Sequence, residues 1–562
     1  MLKQVQHDGI VWPIALSFLL AACTTTPSSP VATAPVEVQI LAINDFHGNL
    51  ETPEGTVPIT GADGVDVNAH LGGAAQLAGK LEELRTGHAN SITVAAGDLI
   101  GASPLASAWF LDEPTIDALN LAGLELAAVG NHEFDKGSSE LLRMQKGGCD
   151  KFTTRQPCQL EPFKGARFTY LAANVQRTDG TTLFPGTAIR HYGPVRVGFI
   201  GMTLKDTGIL ASPAGVAGLA FADEAATANA LVQSLKAQGA DTVVLLIHQG
   251  GKAPKAYQTS TCEGLAGPIL DILDRLDPAI RTIVSGHTHQ AYACTLDRGG
   301  APRLLTSAGK YGFMATDIRL DFNPATRALI SSSATNVAVS ANGNVDTQVA
   351  SLTNRYVKAA APVAERVVGK LAGPAPRSET EGESPAAALV ADAELEVARR
   401  PDQGRAQIAF TNATGVRTGL FPKPDGSVTF GQIFQMQPFG NNLVTKNYTG
   451  AQLKAALEQQ FKTVDGKGRV TSLLIPSLGF RFRYDLTRPD GDRITRMDLD
   501  GKPIDPAASY RVTVNNFLSS GGDGFSAFSA GTDAVDGGMD LDAMETWLAK
   551  GQPVPALGRT MD

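Results

Sequence analysis

Of the nine histidines in this 562-residue chain, five fall in short segments where an apolar run ends in histidine, aspartate or asparagine. The segments are Asn44-Asp45-Phe46-His47, Gly97-Asp98, Gly130-Asn131-His132-Glu133-Phe134-Asp135, Ile247-His248-Gln249 and Gly286-His287-Thr288-His289. Asp45 and His47, two residues apart, can reach the same side of a loop leaving a strand. Asp98, alone at its strand end, can bridge two cations with its two carboxylate oxygens. Asn131 offers a neutral carbonyl oxygen, and His248, His287 and His289 offer imidazole nitrogens. A mixed nitrogen and oxygen donor set suits Zn, Mn, Fe or Co better than Ca or Mg. Two such metals about 3.5–4 Å apart polarise a phosphoryl oxygen and generate hydroxide from bound water at neutral pH. Taken singly, each residue has a plainer explanation, a helix N-cap for an aspartate or a turn for Gly-Asn-His. The ordered set has none, and it implies a binuclear metallohydrolase.

The elements that must position these residues are legible as near-continuous apolar runs, as strands buried on both faces require. They cover 38–44, 92–98, 126–132, 170–175, 195–202, 242–248 and 282–287, with helical patterns between them at 75–85 and 224–238. Alternation of strands and helices indicates an α/β domain, placed at 36–338. Polar residues at the carboxyl ends of its strands converge on one rim, where open α/β sheets bind ligands. Residues 349–368 carry apolar side chains at helical spacing, are broken by Pro362 and lead to Gly373-Pro374-Ala375-Pro376. This reads as a connecting helix and linker, 339–376, rather than a core element. The remainder, 377–562, combines a helix over 385–399 with a hairpin signal at Asp500-Gly501, and reads as an α+β domain.

The length calls for at least two domains. A hydrophobic content of 43% with 19% charged residues describes a soluble globular protein. A net charge of −8 argues against a surface for nucleic acid, which needs clustered Lys and Arg. Any phosphate is then met locally, by metal or by a few arginines. Residues 10–22 form an apolar stretch too short to span a bilayer but suited to a signal-peptide core. It ends in Leu20-Ala21-Ala22-Cys23, which resembles a bacterial lipobox; an ordinary signal peptide cut elsewhere is the other reading. On the lipobox reading 1–23 is the signal segment, 24–35 a Pro/Thr/Ser tether, and a lipid on Cys23 the sole membrane contact. The other four cysteines suggest two local disulfides, Cys149 with Cys158 and Cys262 with Cys294, in an oxidising compartment. A zinc site is the rival, without a C-x-x-C spacing to support it.

Asp-x-His, Gly-Asp, Gly-Asn-His-Glu-x-Asp, a strand-terminal His and Gly-His-x-His together resemble the calcineurin-like metallophosphoesterases. The wording Asn-Asp-Phe-His-Gly and Gly-Asn-His-Glu-Phe-Asp-x-Gly is similar to the 5′-nucleotidase family, over nearly the whole chain after the tether. The resemblance implies a four-layer α/β/β/α catalytic domain followed by an α+β substrate-binding domain. It implies two divalent metals (Zn, Mn, Co or Fe), one held by Asp45, His47 and His289, the other by Asn131, His248 and His287, with Asp98 between them. Periplasmic members often have Gln at the position of His289, a departure that keeps a ligand and bears on metal preference. His132 and Asp135 match the catalytic dyad, the imidazole stabilising phosphoryl charge or protonating the leaving oxygen while Asp135 orients it and raises its pKa.

In the second domain, residues 411–417, 437–441 and 516–525 resemble the nucleotide-recognition segments. Phe439 and Phe517 would sandwich the base, Asn412 would hydrogen-bond it, Arg417 would grip phosphate and Asp523 the ribose hydroxyls. Glu383-Ser384-Pro385-Ala386-Ala387 replaces the usual Asn-rich opening, and Arg400 is taken as a second phosphate-binding arginine, with Arg399 and Arg405 as competitors. The implied activity is an exported 5′-nucleotidase, acting on nucleoside 5′-monophosphates by in-line attack of metal-bound hydroxide with no phosphoenzyme. Hydrolysis of UDP-sugars or 2′,3′-cyclic nucleotides on the same scaffold is the alternative, and a non-catalytic nucleotide-binding lipoprotein the alternative of another class.

Overall fold

The computed structural model describes residues 34–561 apart from 62, 212, 379–381 and 465; the expected leader and Cys23 lie outside them. Two six-stranded sheets form the centre of the first domain. In the first, Val36–Ile43, Ser91–Ala96, Leu124–Ala128 and Thr169–Leu171 run parallel, and the hairpin Met314–Phe322 with Leu329–Ala338 pairs antiparallel against Val36–Ile43. In the second, Val195–Thr203, Thr242–His248, Ile280–Ser285 and Ala301–Ala308 are parallel neighbours, flanked by the antiparallel strands Thr187–Tyr192 and Ala291–Arg298.

The sheets pack face to face through Val38, Ile40, Val94 and Leu126 on one side and Val197, Phe199, Val244 and Val284 on the other. The alternate residues of each strand point outward, as the two-residue period demands. Leu41, Ala95 and Ala127 meet helices Ala74–Arg85, Glu113–Leu121 and Thr347–Ala364. Ile200, Leu245 and Ile283 meet Glu224–Ala237 and Pro268–Arg275. The layers are therefore α/β/β/α.

Helix Thr347–Ala364 corrects the expectation of a mere connector. Val349, Leu352, Tyr356 and Ala360 are buried in the first domain's outer layer. Their spacing of three or four residues is that of a core-facing stripe. Pro362 falls in the last turn, where it precedes the end of the helix and leaves the buried stripe before it intact, and the Asp346 carboxylate caps the first by accepting from Gln348 and Val349 N–H.

The second domain is α+β. Its five-stranded sheet runs Leu474–Pro476, Ile408–Asn412, Ser509–Asn515, Asn442–Thr449, Thr532–Met539, with a four-stranded sheet beside it. Helix Pro385–Ala398 is buried on nearly every side, its Ser384 side chain capping Ala387 N–H. Leu499 pairs with Lys502 across Asp500-Gly501, whose φ values of 50° and 76° are those of a two-residue hairpin turn. The cysteines pair as expected, Cys149–Cys158 and Cys262–Cys294.

Candidate metal centre between two domains

Parallel strands deliver the ligands to one rim, and the turns that follow bend sharply to aim them. Asp45, His47, Asp98, His287 and His289 all have left-handed backbone, with φ between 47° and 73°. Non-glycine residues rarely adopt it, and such strain concentrates where a site demands a direction. Two glycines allow the turns to approach each other. A Cβ on Gly97 would lie 2.7 Å from Gly130 N, and one on Gly130 would lie 2.2 Å from Asp98 Oδ1.

The result is two triads with converging donor atoms, Asp45 with His47 and His289, and Asp98 with His248 and His287, each buried except for its partly exposed last histidine. Asp98 Oδ2 lies 3.0 Å from His248 Nε2 and 3.7 Å from His47 Nε2, so one carboxylate faces both triads. Asn131 Oδ1 is 3.1 Å from His287 Nδ1, on the second triad. All seven expected ligands therefore meet. His47 and His289 point Nε2 at Nε2 across 3.1 Å, close enough for both nitrogens to serve one cation. The orientation of the rings is fixed from behind: His47 Nδ1 donates to Gly101 O (2.9 Å) and His248 Nδ1 to Ala96 O (2.7 Å). That leaves Nε2 as the ligating atom. His248 Nε2 is buried without a well-aligned hydrogen bond, which is the deficit a metal would fill.

Burial holds His47 and His289 well below the usual histidine range and takes His287 down to about 3, so these three are neutral and able to ligate. Burial raises Asp45 to about 7, whereas Asp98 stays well below its ordinary value because His248 and His132 outweigh its desolvation. His132 donates from Nδ1 to Asp135 Oδ2 at 2.9 Å. Burial opposes its protonation, but Asp135 and then Asp98 overcome this and raise it above 6.5, as expected for an imidazole that must hold a proton.

The second domain closes over this centre. The Phe439 ring lies parallel to His132, 15° between planes and 5.9 Å between centroids. The charge of Arg417 acts on His47, His132 and His289. Asp523 sits in the turn after half-buried Phe517, whose ring lies across Gly522 so closely that a Cβ there would be 2.5 Å away. Asn412, expected to reach the base, is buried and spends its amide on Asp523 Oδ2 (2.6 Å) and Thr414 Oγ1 (2.8 Å). It positions Asp523. Arg400 lies exposed at the end of Pro385–Ala398, where its charge acts on Glu396.

Sequence reasoning passed over Arg377, whose charge, with those of Lys310 and Arg417, acts on Tyr311. The backbone pair Ala375–Leu420 sets the stretches carrying Arg377 and Arg417 side by side. Tyr311 itself packs edge-on against His47 and lies 6.0 Å from His289. Glu133 braces the site from within the same motif as His132. Its carboxylate accepts from Asp98 N, Leu99 N and Gly130 N, pinning together two ligand-bearing turns. Only the last of these carried a signal in the sequence, its place beside Asn131 and His132.

Residues 38–291 match the family model for calcineurin-like phosphoesterases, and residues 359–530 that for the 5′-nucleotidase C-terminal domain. The chain is 28% identical to endonuclease YhcR of Bacillus subtilis over 87% of its own length, and spans 38% of that longer protein. It is 24% identical to human 5′-nucleotidase, covering 92% of this chain and 88% of that one. A 5′-nucleotidase precursor structure from Thermus thermophilus aligns over 93% of this chain and 99% of its own, with TM-score 0.74 and 25% identity. Calcineurin-like phosphoesterases use two divalent metals, and the two triads suit that pair. By domain composition, fold and donor set, the chain belongs to the 5′-nucleotidase family of metal-dependent phosphoric ester hydrolases.

Proposed function

We propose that this protein is an exported 5′-nucleotidase that converts nucleoside 5′-monophosphates to nucleoside and phosphate. The observation that carries the reading is the juxtaposition of Phe439 with His132, an imidazole on which the charge of Arg417 also acts. This reading gives Phe439 the base, Arg417 the phosphate and His132 the proton, all near the candidate metal ligands. The metals, when bound, polarise the phosphoryl group and lower the pKa of water. Arg417, with Arg377 alongside, holds the phosphate by charge-assisted hydrogen bonds. His132, protonated by virtue of Asp135, donates to the ester oxygen as the bond breaks. Asp523, steadied by Asn412 and Thr414, accepts the ribose hydroxyls. Phe439 and Phe517 bind the base by its faces, which favours nucleotides without selecting one strongly.

Export is supported by the two disulfides, which persist in oxidising compartments, and by the leader-like stretch that ends at Cys23. A lipid on Cys23 would then hold the enzyme at a membrane surface. The test is product release from AMP, UDP-glucose, 2′,3′-cyclic AMP and a single-stranded oligonucleotide, the last because one relative is named an endonuclease. AMP should exceed the others in kcat/KM by about tenfold or more. A cyclic nucleotide, sugar nucleotide or oligonucleotide as the best substrate would overturn the assignment.

A further inference from the structure

The loop closed by Cys149 and Cys158 belongs to the first domain, yet the side chain it presents reaches the second. The Arg155 guanidinium carbon lies 4.2 Å from the centre of the Trp109 ring and 6.0 Å from that of Phe434. Trp109 follows the short helix Leu105–Ala108 of the first domain, and Phe434 belongs to Phe430–Met436 of the second. Arg155 is half-buried, and among the described residues no carboxylate pairs with it. A guanidinium withdrawn from water without an anion needs another source of negative potential, and aromatic faces supply it.

The loop is held from behind. Gln159 Nε2 donates to Trp109 O (2.8 Å), and Cys158 N–H donates to the Glu113 carboxylate (3.0 and 3.1 Å). Glu113 is itself fixed by Arg143 Nη1 at 2.7 Å. The surfaces around the arginine are continuous: Leu105 and Ala108 are buried in the second domain's core cluster, and Trp109 packs against the cores of both domains.

We propose that Arg155 is a positioning residue, the tip of a disulfide-closed clasp that holds the second domain where Phe439 and Arg417 face the metal ligands. The clasp works by cation–π attraction across the domain boundary, with the disulfide keeping the loop short enough to present the guanidinium. Its kinetic consequence rests on the functional reading above, while its structural consequence does not.

Amide hydrogen exchange on the full chain tests it directly. In Arg155→Ala, exchange in residues 105–109 and 430–436 should quicken about fivefold, the shift that about 1 kcal/mol of cation–π attraction sustains. Exchange in the central sheets should not change. Arg155→Lys, which keeps the cation, should recover most of the protection, and Cys149→Ser/Cys158→Ser should mimic the alanine variant. KM for AMP should rise by a similar factor in Arg155→Ala, and by less for bis(p-nitrophenyl) phosphate, which offers the second domain neither ribose nor base to hold. Unchanged exchange at 430–436, or a lysine variant as unprotected as alanine, would overturn the proposal. A wild-type protein inactive on AMP would refute the functional reading and leave the exchange result to decide the clasp.

Discussion

His132 and its neighbours show how much one short segment can carry. Asn131 supplies a donor, His132 holds the proton, Glu133 gathers three backbone N–H groups and Asp135 orients the imidazole. Of these, His132 alone combines a raised pKa with a face turned to the second domain. His132→Gln should therefore lower kcat on AMP by about 10²–10⁴-fold, the usual weight of a positioned acid. Bound metal, measured by elemental analysis, should stay constant. Loss of metal in parallel with activity would mean the ring only supports Asn131 and Asp98. The ligands were legible because each ends an apolar run and strand ends converge in a parallel sheet. Tyr311 and Arg377 were not, since Tyr311 meets His47 from the far end of the domain and no motif marks either residue.

Helices carry the second lesson. The stripe Val349, Leu352, Tyr356 is what a core-facing helix needs, but Pro362 and the Pro-rich run after it suggested a connector. Position within the helix decides the matter, because a proline in the final turn can end a helix without interrupting the stripe before it. Helix Pro385–Ala398 poses a different problem. Glu394 is buried with both carboxylate oxygens unpartnered. Burial and then Asp540 hold its carboxyl well above the ordinary 4.5, and burial lifts Asp540 to about 7. Both groups are raised relative to the unfolded chain. Their stabilisation is thus full below the ordinary carboxylate range and is lost as pH climbs, through about 7 for Asp540 and higher for Glu394. Glu394→Gln cannot ionise. It should leave Tm nearly unchanged at pH 5 and raise it at pH 9 by about 2–4 °C or more, the effect of about 1 kcal/mol in a domain of this size. A gap between variant and wild type that stays constant across that range would absolve the buried carboxyl.

At the level of the whole molecule, the first domain gathers the candidate metal ligands and, on the proposed reading, the second selects what is brought to them. The sequence pattern changes near residue 338, yet helix Thr347–Ala364 still packs into the first domain's outer layer, so the change of pattern precedes the change of core. What the sequence could not supply was contact across the boundary, such as Phe439 on His132 or Arg155 between Trp109 and Phe434, because such pairs depend on packing rather than on spacing. The chemistry depends above all on the paired triads, Asp45–His47–His289 and Asp98–His248–His287. Protein stripped by a strong chelator should release no phosphate from AMP, and activity should return as Mn²⁺ or Zn²⁺ binds, reaching its plateau only at two equivalents per chain. Phosphate release that survives stripping, or that is complete at one equivalent, would contradict that dependence.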